Sequence, residues 1–434
     1  MNRFQSPKGC ADLLGADARA WRVMCDAASE VFSRYGYDFA ATPVFENEEL
    51  FVRSAGEGTD VAGKEMFAVR SSGALSALEE GRPLKADQRL ALRPEGTAGI
   101  VRAIVEHGLV APGSPPVRLW YAGSMFRCER PQKGRLREFR QIGAECLGAT
   151  SAVSDAEMIV MLMRFFTRLG LSKESMTLLV NSMGCPECRP AFERAVSDYL
   201  LAHADGLCED CRRRAADNPL RAFDCKREGC RSVIEGAPKF ADHLCERCAE
   251  RFETVKGCLE SAGVAYREDG RLVRGFDYYT GTVFEVQVDS GLGSQNAIGG
   301  GGRYDGLTGE LGGPDVCGLG FAVGFERIML ALRAVGIELG ADAPAGTYLV
   351  CAGEECRSAV FDIATRLRDA GVTVLVDTQG RSVKSQMKAA DKSGCARVAV
   401  IGPDELESGT VTVRDMATHA ERRVDVEALA AELL

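Results

Sequence analysis

The 434-residue chain is 46% hydrophobic and 26% charged, with a formal net charge of -9; this is the composition of an ordinary globular protein of two or three domains and excludes the disordered and membrane classes. No apolar run reaches the roughly 18 residues of a spanning helix, and the amino terminus, MNRFQSPKGCADLLG, has neither an apolar signal core nor a small-residue cleavage site. The expected location is therefore the cytoplasm, where the 17 cysteines would be thiols or thiolates and regularly spaced pairs read as metal ligands rather than disulfides.

Between Arg19 and Tyr35 apolar residues recur at helical spacing, and AATPVFENEELFVRS then combines a Pro-bounded strand with a short helix. Residues 89–126 alternate strand-like pieces, RLALRPEG and PVRLWYAGSMF, with a helix-like piece, TAGIVRAIVEHGL. Nothing in this part reads as a repeating βαβ unit. From about Leu171 to Ala262 the composition shifts to Cys, Arg and Glu with helical patterning, as in an insertion into one sheet domain. Leu272–Val288 is expected to be strand-rich, and the alternation of Phe284, Val286 and Val288 suggests a half-buried strand of an antiparallel sheet. A glycine run, GGGGRYDGL, and a helix, FERIMLALRAV, follow. Beyond the linker GIELGADAPAGT come strand (YLVCAG), helix (CRSAVFDIATRLRDAG), strand (VTVLVDT), helix (SVKSQMKAADKSG) and strand (ARVAVIG), which make a small α/β domain.

Two glycine motifs carry no nucleotide fingerprint. GTDVAGKE, Gly58 to Glu65, nearly spells a P-loop but lacks the Ser or Thr that would hold magnesium and the apolar strand leading in. Gly299–Gly302 reads as close backbone approach within a sheet. Histidine is confined to His107, His203, His243 and His419, none beside another candidate catalytic group, so a His-based triad is hard to build. Chemistry must then rest on arginines, carboxylates and hydroxyls; arginine suits bidentate contact with phosphate or carboxylate, and transfer to or from a phosphate requires mostly positioning and charge neutralisation. Arg127, Arg274 and Arg327 each lie beside a strand or helix end. Taken singly each reads as a solvated or salt-bridged surface arginine rather than a ligand, but Arg274 shares RLVRGFDYYTG with Asp277, Tyr278 and Tyr279, residues that would line a pocket. RCERPQKGRLREFR, Arg127 to Arg140, gathers six basic and two acidic residues in an acidic chain, as a local docking face for a polyanion would.

Four cysteine pairs, Cys185/Cys188, Cys208/Cys211, Cys225/Cys230 and Cys245/Cys248, fall within the inserted segment. Eight thiolates could complete one or two tetrahedral zinc sites, structural because no open ligand position accompanies them; spectator thiols or a redox relay are the alternatives.

The chain resembles the histidyl-tRNA synthetases, a class II aminoacyl-tRNA synthetase family. FENEELFVRSAGEGTDVAGKEMF is similar to the first class II motif, FRCERPQKGRLREFRQIGAECLG to the second and GFAVGFERIMLAL to the third; RLVRGFDYYTGTVFE and GGGRYDGL are similar to the two histidine-specific signatures. The resemblance implies an α+β fold: an antiparallel sheet flanked by helices, with a helical Cys-rich insertion and a C-terminal α/β anticodon-binding domain. The implied division is catalytic core 1–170 and 262–336, insertion 171–261, linker 337–346 and anticodon domain 347–434. It implies ATP-dependent activation of L-histidine to histidyl-adenylate with release of pyrophosphate, then transfer to the 3′ end of tRNA(His), by a homodimer using Mg²⁺. By position, Arg127 and Arg274 would be catalytic. Glu95, Thr97, Arg127, Gln141, Glu145, Arg274, Tyr278, Tyr279 and Tyr304 would bind histidine, and Arg127, Glu129, Arg135 and Arg327 would bind ATP. Arg130, Gln132 and Lys133 would meet the tRNA acceptor end, and Lys384, Lys388 and Lys392 would give the anticodon domain a basic helix face. Cys128 and Arg140 depart from the aromatic or His usual at those positions. A non-catalytic relative acting as regulatory subunit of ATP phosphoribosyltransferase is the alternative, and a zinc-ribbon module would explain the insertion alone.

Overall fold

The computed structural model describes residues 3–56, 59, 61–225, 227–289, 292, 296–341 and 346–434, arranged as two compact units, Met1–Leu339 and Gly340–Leu434. The expected linker 337–346 and the P-loop-like stretch Gly58–Glu65 thus lie partly outside the described residues. Among the described residues no helix is long and apolar enough to cross a membrane.

Strands of the first unit, in chain order, are β1 (Asp38–Phe39), β2 (Phe45–Asn47), β3 (Ala68–Val69), β4 (Leu90–Leu92), β5 (Val117–Phe126), β6 (Glu138–Leu147), β7 (Met176–Ser182), β8 (Arg267–Glu268), β9 (Thr280–Val288), β10 (Ala297–Arg303) and β11 (Gly318–Gly324). Eight of them form one sheet in the order β1-β5-β6-β11-β10-β9-β7-β8, antiparallel throughout its centre and parallel only where β1 and β8 join its edges. β2, β4 and β3 make a small separate sheet. The expected α+β architecture is therefore present.

Both faces of the large sheet are covered. On one, the helices Gly15–Ser33, Ala152–Arg168, Glu246–Ser261 and Phe325–Ala334 pack against Ile142, Phe284, Val286, Phe321 and Val323. The second of these starts where the Ser151 hydroxyl accepts from the Val153 N–H, a cap that satisfies one of the donors free at a helix start. On the other face, Tyr121, Met125, Leu179, Val283 and Tyr304 pack with the helix Thr97–Glu106 and the cysteine-bearing helices. This double cover explains one difference from expectation: β9 buries Val283 as well as Phe284, Val286 and Val288, so it is a central strand rather than a half-buried one. It also begins at Thr280; Leu272–Tyr279 belongs to no strand.

The segment read as a helical insertion, 171–261, divides in the structure. β7 is a strand of the main sheet, paired with β9, because the apolar run of Met176–Ser182 is buried on both faces and so lacks an alternating signature. The helix Glu246–Ser261 returns to the main core through Phe252, Val255 and Leu259.

The second unit contains β12 (Thr347–Cys351), β13 (Val374–Val376), β14 (Arg397–Ile401), β15 (Thr410–Asp415) and β16 (Glu421–Asp425), in the order β13-β12-β14-β15-β16. The three expected strands are parallel, and β15 and β16, which were not expected, extend the sheet antiparallel. Lys384, Lys388 and Lys392 are exposed on the helix Val383–Ser393.

Candidate active site

Side chains alternate across a strand, so Tyr121, Gln141, Gly143 and Glu145 look out from one face of β5 and β6. Gly320 of β11 stands opposite Glu145 in the register, and Gly302 of β10 opposite Gly320. Side chains do not fit there: a Cβ on residue 320 would lie 1.7 Å from Glu145 Oε2, and one on residue 143 would lie 2.3 Å from the Tyr121 hydroxyl. In the run itself a Cβ on residue 301 would lie 1.9 Å from the Gly320 carbonyl oxygen and one on residue 302 would lie 2.6 Å from that of Thr282, which is close backbone approach within a sheet, as expected, and it floors a site.

Above this floor the contacts close into a ring. The Thr97 hydroxyl donates to Glu145 Oε1 at 2.7 Å, and the Tyr304 hydroxyl donates to Oε2 at 2.5 Å. Tyr304 meets Tyr278 edge-on at 5.7 Å between centroids, and Tyr278 stacks on Phe276 at 5.2 Å. The Arg127 guanidinium lies between Phe139 and Phe276, 5.3 and 5.9 Å from their centroids, a cation–π arrangement that fixes its plane. Its Nε donates to the Pro94 carbonyl at 3.0 Å. Glu95 follows and accepts from the N–H groups of Thr97 and Ala98 at 2.6 and 2.9 Å, capping the helix that carries Thr97.

Electrostatics follow from burial. Glu145 is wholly buried, and desolvation pushes its carboxyl up to about 8 against the pull of the Tyr304 and Thr97 hydroxyls. Burial also raises Glu95, opposed by the two N–H donors and by Arg127. Burial therefore pushes both carboxyls up, Glu145 the further.

Tyr279 packs on Tyr278 at 4.6 Å, and Arg274 lies over the Tyr279 ring at 5.8 Å. Arg274 is paired with Glu285 of β9 at 2.9 Å, the carboxylate that ends RLVRGFDYYTGTVFE and was not among the expected site residues. Arg274 Nε and Gln141 Oε1 are buried without a hydrogen-bond partner. Buried polar atoms are rarely left so; this pair is one donor and one acceptor.

The basic stretch forms the β5–β6 hairpin. At its tip Gln132 and Arg135 bridge backbone to backbone and Gly134 takes φ +74°, a conformation that glycine adopts without a Cβ penalty. Arg135 pairs with Glu129 at 3.1 Å. Arg327, at the start of its helix, donates to the carbonyls of Gly134 and Ala297 at 3.2 and 3.0 Å, and burial, then Arg135, pull its guanidinium down. Arg130, Gln132 and Lys133 are exposed along the loop, whose base opens a cavity of about 640 Å³ lined by Lys64, Glu65, Cys128, Glu129 and Arg135 among others. Arg140 turns back to Glu326, whose carboxylate also accepts from its N–H.

The eight cysteines sort into two sets: Cys185, Cys188, Cys245 and Cys248, and Cys208, Cys211, Cys225 and Cys230, with the sulfurs of each set within 4.8 Å of one another. In the first, neighbouring sulfurs are 3.7, 3.8 and 3.9 Å apart. A tetrahedral zinc with Zn–S of about 2.3 Å requires sulfurs about 3.8 Å apart, so the spacing fits that ion.

Beneath the opposite face of the sheet the structure places a network with no sequence signal. Arg303, adjacent to Tyr304, and Asp155 are each 2% exposed and ion-paired, and Asp155 also accepts from Arg251 and Thr282.

The profile described as "Histidyl-tRNA synthetase" matches residues 9–328, and that described as "Anticodon binding domain" matches residues 347–434. The histidine–tRNA ligase of Halothermothrix orenii is 44% identical over 95% of this chain and 95% of its own length. That of Nitratidesulfovibrio vulgaris is 43% identical over 100% and 99%. The apo S. aureus histidyl-tRNA synthetase crystal structure superposes with a TM-score of 0.80 at 32% identity, covering 99% of this chain and 100% of that one. With glycine floor, aromatic ring and arginines in place and likeness running nearly end to end, the chain belongs to the histidyl-tRNA synthetase family.

Proposed function

We propose that the chain activates L-histidine with ATP to histidyl-adenylate, releasing pyrophosphate, and transfers the histidyl group to the 3′ end of tRNA(His). The observation that carries this reading is that two polar atoms of the site, Gln141 Oε1, on the same face of β6 as the buried Glu145 carboxyl, and Arg274 Nε, are each buried without a hydrogen-bond partner. An ammonium group would satisfy the first, and a carboxylate or α-phosphate the second. Glu145 and the Tyr279 hydroxyl would read the two imidazole nitrogens, with Glu95 and Thr97 toward the ammonium and Tyr278 and Tyr304 closing the wall. A protonated Glu145 can donate to one ring nitrogen, whereas an ionised one can only accept.

Arg127 and Arg274 would neutralise charge as the histidine carboxylate attacks the α-phosphate, a step that requires positioning and no strong base. Arg135, Glu129 and Arg327 would hold the rest of ATP. Mg²⁺ would arrive with the nucleotide, and Glu129 and Glu285 are the carboxylates at hand to hold it. Arg130, Gln132 and Lys133 would meet the acceptor end, and the Lys384, Lys388 and Lys392 face would meet the anticodon arm. Each cysteine set would bind one zinc ion, closed and structural, in keeping with a reducing, cytoplasmic setting. Exposed Val44, Phe45, Leu75 and Leu78 around the small sheet support a homodimer through that surface. The regulatory-subunit alternative has less support: the relatives at 42–44% identity carry the ligase name, and the arginines and second unit are present.

ATP–pyrophosphate exchange tests the reading. Exchange with histidine and none of the other amino acids, lost in Arg274→Ala, is expected; no exchange by folded wild type would overturn it.

A further inference from the structure

The segment Phe276–Tyr279 forms one wall of the site yet belongs to no strand. Its Asp277 N–H reaches the Ala55 carbonyl at a long 3.4 Å. A wall built this way needs support from side chains, and it receives two arginines from the cysteine-rich helices. Arg189 donates from Nη1 to the Tyr279 carbonyl at 3.0 Å, while Glu193, one turn on, holds its Nε at 2.8 Å. Arg221 pairs from Nη2 with Asp277 Oδ1 at 2.9 Å.

Each arginine is tied to a different cysteine set. Arg189 directly follows Cys188, and its N–H bonds the Cys185 carbonyl. Arg221 lies in the turn Pro219–Asp224, which runs into Cys225. Near the first set, Met183 N–H reaches the Gly281 carbonyl at 2.6 Å and Gly281 N–H the Gly184 carbonyl at 2.8 Å, so the strand leaving the wall is also held by the chain entering that set. We propose that Arg189 and Arg221 are positioning residues for histidine recognition. They clamp Asp277 and Tyr279 from two four-cysteine centres, so that metal binding in the insertion sets the histidine pocket.

This rests on the reading of Tyr278 and Tyr279 as histidine-pocket residues. The clamp grips Asp277 and the Tyr279 carbonyl, next to Tyr278, which meets Tyr304 on the Glu145 side; Arg327 and Arg135 are held by the hairpin, and Arg127 keeps the Pro94 carbonyl and Phe139, so the effect is expected on histidine. Loss of a charge-assisted hydrogen bond to a wall of the pocket is expected to weaken histidine binding about tenfold.

The test uses full-length wild type, Arg189→Ala, Arg221→Ala and Arg189→Lys. It measures histidine and ATP KM and kcat by exchange, histidine Kd by calorimetry, and zinc per chain by plasma mass spectrometry. The expected result is a rise in histidine KM and Kd in both alanine variants, with ATP KM and zinc content unchanged and partial recovery in Arg189→Lys, which can still donate to the carbonyl. A fall in kcat through a smaller active fraction, with histidine KM and Kd at wild-type values, would reduce the arginines to structural parts and overturn the proposal. Wild type that binds histidine without exchange would sink the catalytic reading while calorimetry still decides the clamp. Metal-free wild type that keeps the histidine KM and Kd of the metal-loaded protein would uphold the arginine clamp and overturn its coupling to metal, whereas a rise like that of the alanine variants is expected.

Discussion

Tyr304 donates its hydroxyl to Glu145 across 159 positions of chain, at 2.5 Å, and thereby fixes one oxygen of a carboxyl with no solvent exposure. Glu145 is raised from 4.5 to about 8, chiefly by desolvation, so the folded chain keeps a proton that the unfolded chain releases. This group's contribution to stability is fully present below the unfolded value and is lost as pH rises through the folded one. In urea titrations between those limits, wild-type stability is expected to fall with pH relative to Glu145→Gln, which cannot ionise. Parallel profiles would show that Glu145 titrates normally.

Gly320→Ala places a methyl group where Glu145 Oε2 now lies, 1.7 Å from the new Cβ. Overpacking of this kind costs about 1–3 kcal/mol, and here it also displaces the carboxyl. Thermal melts should show a folded but weakened protein, with histidine-dependent exchange lost at any histidine concentration tried. Normal exchange would mean that the sheet yields at this point.

Asp155→Ala removes the acceptor shared by Arg303, Arg251 and Thr282. Breaking a buried pair by removing one partner costs about 3–5 kcal/mol, because the other charge is left uncompensated. Replacing both, as Asp155→Ala with Arg303→Met, should cost less than Asp155→Ala alone. Urea midpoints of the three proteins decide it, and a double variant no better than the single would place the cost in lost packing instead.

Two zinc ions per chain are expected in purified protein, one of which is lost in Cys188→Ser and the other in Cys211→Ser. Because metal binding and folding of such segments are linked, chelation should lower helical circular dichroism. Loss of both ions in either single variant would show that the sets do not fill independently.

The parts of this structure legible in the sequence are those whose signal is local. Helical spacing over Arg19–Tyr35 and in FERIMLALRAV marked the helices found at Gly15–Ser33 and Phe325–Ala334, and GGGG marked a place where backbones meet. β7 escaped because a strand covered on both faces loses its period of two, and β16, ERRVD, carries a single buried residue, Val424. β15, TVTVRD, was not expected either, although it alternates as a strand should, with Val411 and Val413 buried. Within the site, arginines and tyrosines stood out through motif likeness, but Glu285 and Asp155 did not. A carboxylate in a strand or a helix first turn looks like any surface acid until Arg274 or Arg303, distant in sequence, is folded against it.

The glycine floor has a consequence for how this pocket can change. Positions 143, 302 and 320 are closed to larger residues by backbone and side chains already in contact, so the volume above them cannot be reshaped from below. New amino-acid preference, in the laboratory or in descent, would have to be written into the wall of Phe276–Tyr279, where Gly275 has open space around it. The cavity thus has a floor that is effectively frozen, with room for change only along its walls.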